Sequence, residues 1–430
     1  MTARLGGIRA SFVLSLLLLV NILNFVDRLL PSVLVESIRR DLHLKDTQIG
    51  LIGGLAFAII YSFASVGIAR IADRWSPRLV IALSLGVWSF ATAISGLAQN
   101  FTQLFLARSS VAAGEAGSTP AAHAFIARAY PDDRRSLMMA LFSLGVPIGA
   151  MLGLTMGGWI NDAFNWRAAF FVVGLPGLIV AALIRFVVPE PPRQSLTVDE
   201  PERFWTTFRA LFAKRTFRQM VYACSLFGVG SYALNIFAAA FLIRTHHLTA
   251  ARAGASFGFA FGVGGFLGTF LGGALSDWLG RRDVRWRQGV PAVGVLLSAP
   301  ASFVAFTTSS LTLSVVCLML TYVFGLAYYA PTFACLQSLV PDRVRATAAG
   351  ILLFFLTLIG ASLGPWLVGF VSDLLAPTYG ALSLRHAMSF LPITMVWSAL
   401  HFYLAARALP KDLAPSDEQT LRRAQASPIS

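Results

Sequence analysis

About twelve runs of roughly 20 apolar residues, separated by short basic breaks, limit what this chain can become. They centre near Leu19, Phe57, Leu85, Ala116, Gly149 and Ile179, then Gly228, Gly262, Leu297, Phe324, Leu358 and Val396. Hydrocarbon offers no partner to a backbone N–H or C=O, so runs of this length read as membrane-spanning helices. Composition agrees: 56% of the 430 residues are hydrophobic, 13% are charged, and the mean hydropathy is +0.70. That leaves too little charge to coat a soluble domain of this length.

The net charge of +14 lies in the breaks between apolar runs and forms no basic stripe, which argues against nucleic acid. Lys and Arg concentrate at the N-terminus, at 70–78, 128–135, 185–218 and 281–287, at Arg343 and Arg345, and in the tail. The alternate loops near Gln99, Asp162 and Thr307 nearly lack them, and in the loop at 39–45 the basic residues are accompanied by Glu36, Asp41 and Asp46. The positive-inside rule then puts both termini in the cytoplasm and requires an even number of spans. The first run is too long for a signal peptide, holds Asp27-Arg28, and has no small-x-small cleavage site. Cys224, Cys317 and Cys335 lie inside apolar runs, without the spacing of disulfides or metal ligands.

The longest polar stretch begins at Pro189 and divides the chain. We expect a six-helix bundle over residues 1–188, a cytoplasmic linker over 189–217, a second bundle over 218–410 and a tail over 411–430. Residues 195–214 suit a short amphipathic surface helix with Phe204, Trp205, Phe208, Leu211 and Phe212 on one side. The halves echo each other. Ala69-Arg70-Ile71-Ala72-Asp73-Arg74-Trp75-Ser76-Pro77-Arg78 follows the second span, and Gly273-Ala274-Leu275-Ser276-Asp277-Trp278-Leu279-Gly280-Arg281-Arg282 follows the eighth. Tyr130-Pro131-Asp132-Asp133-Arg134-Arg135 precedes the fifth, and Val340-Pro341-Asp342-Arg343-Val344-Arg345 precedes the eleventh. Two signatures recurring at similar separation indicate an internal duplication.

Two apolar runs carry charge at depth: Asn24-Phe25-Val26-Asp27-Arg28, and the segment from Arg108 to Glu115. An ionised side chain near the bilayer centre costs roughly 2.5–3.5 kcal/mol on insertion scales, so such groups pair or face a water-accessible path. Arg108 and Glu115 are seven residues apart, on one helix face and about 10 Å apart along the axis. Antiparallel first and fourth spans bring Asp27 to the depth of Arg108, with Glu115 deeper. An Asp27–Arg108 pair is expected, with Glu115 able to exchange partners. Arg28 has two readings, as a member of the network or as a long side chain reaching the interface. The second half has essentially no charge at mid-depth and offers Tyr232, Asn235, Tyr322, Tyr328 and Tyr329 as candidate cavity-lining groups.

Twelve spans, the six-plus-six duplication and GxxxDxxGRR resemble the major facilitator superfamily, an all-α membrane fold of two six-helix bundles. The second-half motif, Gly273 to Arg282, is close to the family pattern. The first-half copy departs from it at Ala69 and at Ser76-Pro77. The first-span Asn24 to Arg28 segment, Arg108, Gly114-Glu115-Ala116-Gly117, Trp166-Arg167-Ala168-Ala169-Phe170 and Gly174-Leu175-Pro176-Gly177 resemble the Spinster-like branch of sphingolipid and lysolipid transporters. The anion:cation symporter branch shares an Asp-Arg on the first span and an Arg…Glu on the fourth. The fifth span, Gly145-Val146-Pro147-Ile148-Gly149 with Gly153 and Gly157-Gly158, resembles a Gly/Pro-rich motif of antiporters and reads as either a bending helix or close small-residue packing.

The resemblance implies a secondary transporter that works by alternating access in the plasma (inner) membrane. Asp27, Arg28, Arg108 and Glu115 would handle protons or an anionic head group. Asp73, Arg74, Arg78, Gly273, Asp277, Gly280, Arg281 and Arg282 would form a cytoplasmic gate motif. One charged wall facing an aromatic one favours an amphiphilic, lipid-like substrate. A symporter of small organic anions and a proton-independent facilitator stay open as alternatives. The chain lacks HExxH and GxxxxGK[ST], so an enzyme, a cofactor and a metal are not expected. Substrate, protons and membrane lipids are the expected partners, and a monomer the expected state.

Overall fold

The computed structural model describes residues 7–64, 76–190, 204–341 and 344–413. The described residues are almost all helical and contain no strand. The first half comprises α1 (Gly7–Asp41), α2 (Asp46–Ala64), α3 (Pro77–Ser95), α4 (Phe101–Glu115), α5 (Ser118–Ala129), α6 (Leu137–Ala163) and α7 (Trp166–Phe186). After a short helix, α8 (Phe204–Ala213), come α9 (Arg215–His246), α10 (Ala250–Gly280), α11 (Trp286–Thr307) and α12 (Leu311–Ser338). The chain ends with α13 (Arg345–Phe355), α14 (Ser362–Tyr379) and α15 (Leu391–Leu413).

Ten described stretches are long and apolar enough to cross a membrane. One of them, Thr347–Leu413, has 67 residues and turns at Gly380, where φ is +53°, so it holds two crossings. The α4–α5 crossing is not among the ten, because it breaks at Ala116-Gly117 and carries Arg108 and Glu115. With these, the chain makes twelve. Outward faces are apolar, with Ile179, Phe266, Phe270 and Trp397 all more than half exposed. Faces this apolar suit contact with lipid.

Local sequence sets the helix starts. Ser76, Asn100, Asn165, Thr249 and Ser310 each accept a hydrogen bond from the backbone N–H three residues on, and so cap α3, α4, α7, α10 and α12. Pro77 follows its cap at a position where a missing N–H costs nothing.

Glycines decide how closely the helices meet around α1. A methyl group on Gly149 would lie 2.5 Å from the Ile22 carbonyl oxygen, and one on Gly153 2.6 Å from that of Val26. On Gly157 it would lie 2.5 Å from the Leu30 side chain. The Gly-rich fifth crossing is therefore a ladder of small residues that lets α6 press on α1, one rung per turn. Gly114 does the same between α4 and α3, where a methyl group would lie 2.7 Å from the Trp88 nitrogen.

The apolar interior is unevenly shared. One buried cluster, including Val13, Leu17, Ile81, Leu85, Phe125 and Ile184, belongs to the first half alone. The other fills the second half and continues into the first through Leu30, Leu34, Ile38, Ile49, Leu154 and Phe170. The halves thus share a core at the end of the bundle where α1 finishes and α2 begins. The α8 helix lies against the second half through Phe208 and Phe212, whose rings stack at 4.4 Å, while Trp205 is exposed.

Because Gly153 is wedged against α1, Gly153→Val is expected to lower the unfolding free energy by about 1–3 kcal/mol through overpacking. Gly350→Ala, at a site with nothing within 4 Å of the added methyl, should be neutral or slightly stabilising. Thermal unfolding of the purified variants in one detergent checks the contrast.

Candidate functional site

Four charged side chains meet where α1 crosses α4, all from the first half. Asp27 is 1% exposed, Arg108 4% and Glu115 0%. Arg108 Nη1 donates to both Asp27 carboxylate oxygens, at 3.1 and 3.2 Å, and Nη2 reaches the Asp27 carbonyl oxygen at 3.4 Å. The Thr92 hydroxyl of α3 donates to Asp27 at 2.8 Å. One turn from Thr92, Trp88 is the contact of Gly114, so the same α3–α4 packing sets both Thr92 and Glu115.

Arg28 turns inward. Its Nε donates to Glu115 at 2.6 Å, and its guanidinium lies 4.6 Å from the ring centre of Tyr61, 5.0 Å from Phe57 and 5.4 Å from Phe25. Consecutive residues of α1 therefore grip two positions of α4 that are seven residues apart. Glu115 takes Arg28 as its partner, while Arg108 stays with Asp27. Buried charges require this, since each unpaired ion would carry its full desolvation cost. Polar atoms in this region without a hydrogen-bond partner among the described residues include Glu115 Oε1 and both amide atoms of Asn24. Asn24 lies one helical turn from Arg28 and is 2% exposed.

The second half presents no charge here. Tyr232 is half-buried and lies within electrostatic range of Arg28 and Tyr61. Tyr329, 43% exposed, lies within reach of Tyr232 and Tyr61. The Tyr322 hydroxyl donates to Asn235 at 2.6 Å. Tyr328 is packed inside the second half between Phe227 and Phe402, at ring distances of 4.8 and 5.6 Å. Of these tyrosines, Tyr232 is the one within electrostatic range of Arg28, whereas Tyr328 stays inside the second half.

Beyond the ion pairs, Val35, Ile38, Ile49, Ile52, Leu104 and Ile236 pack into an apolar plug between the halves. Above it lies a second charged layer. Arg244 of α9 donates to Glu36 at 2.6 Å and to both Asp46 oxygens at 2.7 Å, and the Ser372 hydroxyl donates to Asp46 at 2.7 Å. Arg244 is the second half's cation in a first-half acidic site. Its place near the end of an apolar run resembles an ordinary interfacial arginine, so nothing in the spacing of residues singled it out. Asp41, at the end of α1, holds the start of α7 by an ion pair with Arg167 and a 3.2 Å bond from Trp166.

The gate motif lies at the opposite end. Asp73 and Arg74 fall outside the described residues. Arg78 pairs with Glu190 at 3.1 Å, within its own half. Gly273, Asp277 and Gly280 lie in the last turns of α10, and Arg281 and Arg282 follow it; Asp277 is exposed and makes no ion pair among the described residues.

The fold and site define a class. A family model for the Major Facilitator Superfamily matches residues 17–365, and the chain belongs to that family of membrane transporters. Within it, the chain is Spinster-like. It is 38% identical over 416 residues to an MFS-type efflux pump of Mycolicibacterium smegmatis, covering 95% of this chain and 96% of the relative. It is 26% identical to the sphingosine-1-phosphate transporter SPNS2 of Mus musculus, covering 94% and 78%. A solved bacterial homolog of the human lysosomal transporter Spinster, inward-facing and unoccupied, superposes with a TM-score of 0.86 at 29% identity, covering 95% and 99%.

Removing one member of a buried ion pair strands the other, so Asp27→Ala should cost about 3–5 kcal/mol of stability. The double change Asp27→Asn with Arg108→Gln should recover most of that loss. Thermal unfolding of the three proteins in detergent measures the coupling.

Proposed function

We propose that this protein is a secondary active, proton-coupled carrier of amphiphilic, lipid-like molecules. The observation that carries the reading is the Arg28–Glu115 pair, in which a buried carboxylate has one oxygen on an arginine and the other free. Arg28 lies at the seam between a charged wall and an aromatic one. A phosphate or carboxylate head group suits its guanidinium, and an acyl or sphingoid body suits the Tyr232 and Tyr329 side.

Head-group binding draws Arg28 from Glu115. A carboxylate left without its cation in a dry site is stable only as the neutral acid, so a proton enters with the anion. Asp27 and Arg108 keep each other neutral while this happens and hold α1 against α4. The efflux pump and the sphingosine-1-phosphate transporter among the relatives support an amphiphilic cargo.

We infer from loop charge that both termini are cytoplasmic, so that the plug and the Arg244 layer close the outer side. The superposition on an inward-facing Spinster homolog supports that orientation, as does Asp277 of the gate motif, which has no ion pair among the described residues. Alkaline phosphatase fused after Phe164 should be active, and a fusion after Leu413 inactive.

In liposomes, wild-type transport of an anionic lysolipid should respond to a pH gradient and move protons with the lipid. Glu115→Gln should lose that response. A Glu115→Gln protein with an unchanged pH response would remove Glu115 from the proton path. In a thermal-shift screen, lysolipids should stabilise the protein and small organic anions should not.

A further inference from the structure

Two carboxylates with no part in the ion-pair site join the halves at the plugged end. Asp162, in the last turn of α6, accepts from the backbone N–H of Ala250 at 3.2 Å and of Ala251 at 2.8 Å. Asp373, in α14, accepts from the backbone N–H of Asp46 at 3.0 Å and of Thr47 at 2.8 Å, and from the Thr47 hydroxyl at 2.5 Å. These donors open α10 and α2, and first-turn N–H groups have no partner within their own helix. Each aspartate is therefore a helix cap, with its charge at the favoured end of the helix dipole. Each cap also crosses between halves: the first half caps a second-half helix, and the second half caps a first-half helix.

The backbone beneath repeats the correspondence residue by residue. Gly158 stands four before Asp162, and a methyl group on it would lie 2.4 Å from the Ala250 carbonyl oxygen. Gly369 stands four before Asp373, and a methyl group there would lie 2.3 Å from the Asp46 carbonyl oxygen. One turn further, Gly254 meets the Leu154 carbonyl at 2.2 Å, and Gly50 meets that of Pro365 at 2.3 Å. The duplicated chain has made one joint twice. The giving helix carries Gly-x-x-x-Asp, as Gly158-Trp159-Ile160-Asn161-Asp162 and Gly369-Phe370-Val371-Ser372-Asp373. The receiving helix carries a glycine four residues after its capped start.

We propose that these two reciprocal caps are the lock of the plugged end, and that opening it requires both to be released. The glycines let the backbones touch, and only at that contact do the carboxylates reach the helix starts. The caps thus favour the closed state specifically. The Arg244 bridge reinforces the α2–α14 joint alone. The inference rests on alternating access and is independent of the cargo proposed above.

Paired spin labels test it in the full chain reconstituted in lipid, with Cys224, Cys317 and Cys335 replaced by alanine. Labels at Phe164 and Arg252 span one joint, and labels at Lys45 and Leu374 span the other. Each of Asp162→Ala and Asp373→Ala should lower the closed-to-open ratio about fivefold, and the double change about 25-fold. Asp→Asn keeps an acceptor oxygen and should retain most of the closed population. Wild-type distance distributions at both joints in the folded double alanine variant would overturn the proposal. Should that variant not fold, Gly158→Leu and Gly369→Leu provide the second arm. Each wedge should shift both label pairs to the long distance, and joints that stay closed around the wedges would equally overturn it.

Discussion

Hydrocarbon cannot solvate an ion, and in this protein that constraint bears on the contact between α1 and α4. Asp27 and Arg108 are buried together, so neither can leave without stranding the other. The surrounding packing serves this contact. The α6 glycines press α1 into place, Gly114 lets α4 touch α3, and Thr92 supplies Asp27 with a hydroxyl. A rigid first pair in turn leaves the second, Arg28 with Glu115, as the one with an unsatisfied oxygen and neighbouring aromatic rings. One pair holds structure and the other has somewhere to go.

Much of this was legible in the chain. The apolar runs marked the crossings, including the one that breaks between α4 and α5, because the polar breaks on either side of it stand out even where a kink and two charges interrupt the run. Helix pitch and antiparallel topology brought Asp27 to Arg108. Arg28 was harder. A long side chain on an apolar helix can reach the interface or turn inward, and only the rings of Phe57 and Tyr61, from another helix, decide between them. Arg244, Asp162 and Asp373 were opaque for a different reason. Each sits near a helix end, where charge is ordinary, and its meaning comes from a partner about 90 to 330 residues away. The Gly-x-x-x-Asp repeat was present in the text of the sequence. Without knowing which helices touch, it is two small residues and two acids among many.

Helix α1 carries both charged layers, Asp27 and Arg28 in the site and Glu36 and Asp41 at the plugged end. Pro31 stands between them, where the helix lacks an N–H to close its ladder. Helix α2 has the same arrangement: Asp46 is at the seal, Phe57 and Tyr61 flank Arg28, and a π-helical turn at Leu51–Leu55 lies between. The second half answers with a π-helical turn at Leu356–Ala361. Irregular turns thus separate site from seal on the helices that serve both.

The plug has a thermal consequence. Its side chains, Val35, Ile38, Ile49, Ile52, Leu104 and Ile236, are buried against one another across the two halves. Whenever that end opens to water they become hydrated, and hydration of apolar surface carries a positive heat capacity. Cooling weakens apolar contact of this kind. The balance between the two ends of the molecule therefore changes with temperature along a curve and not a line, so a transport rate measured at one temperature does not extrapolate to another by a constant activation energy.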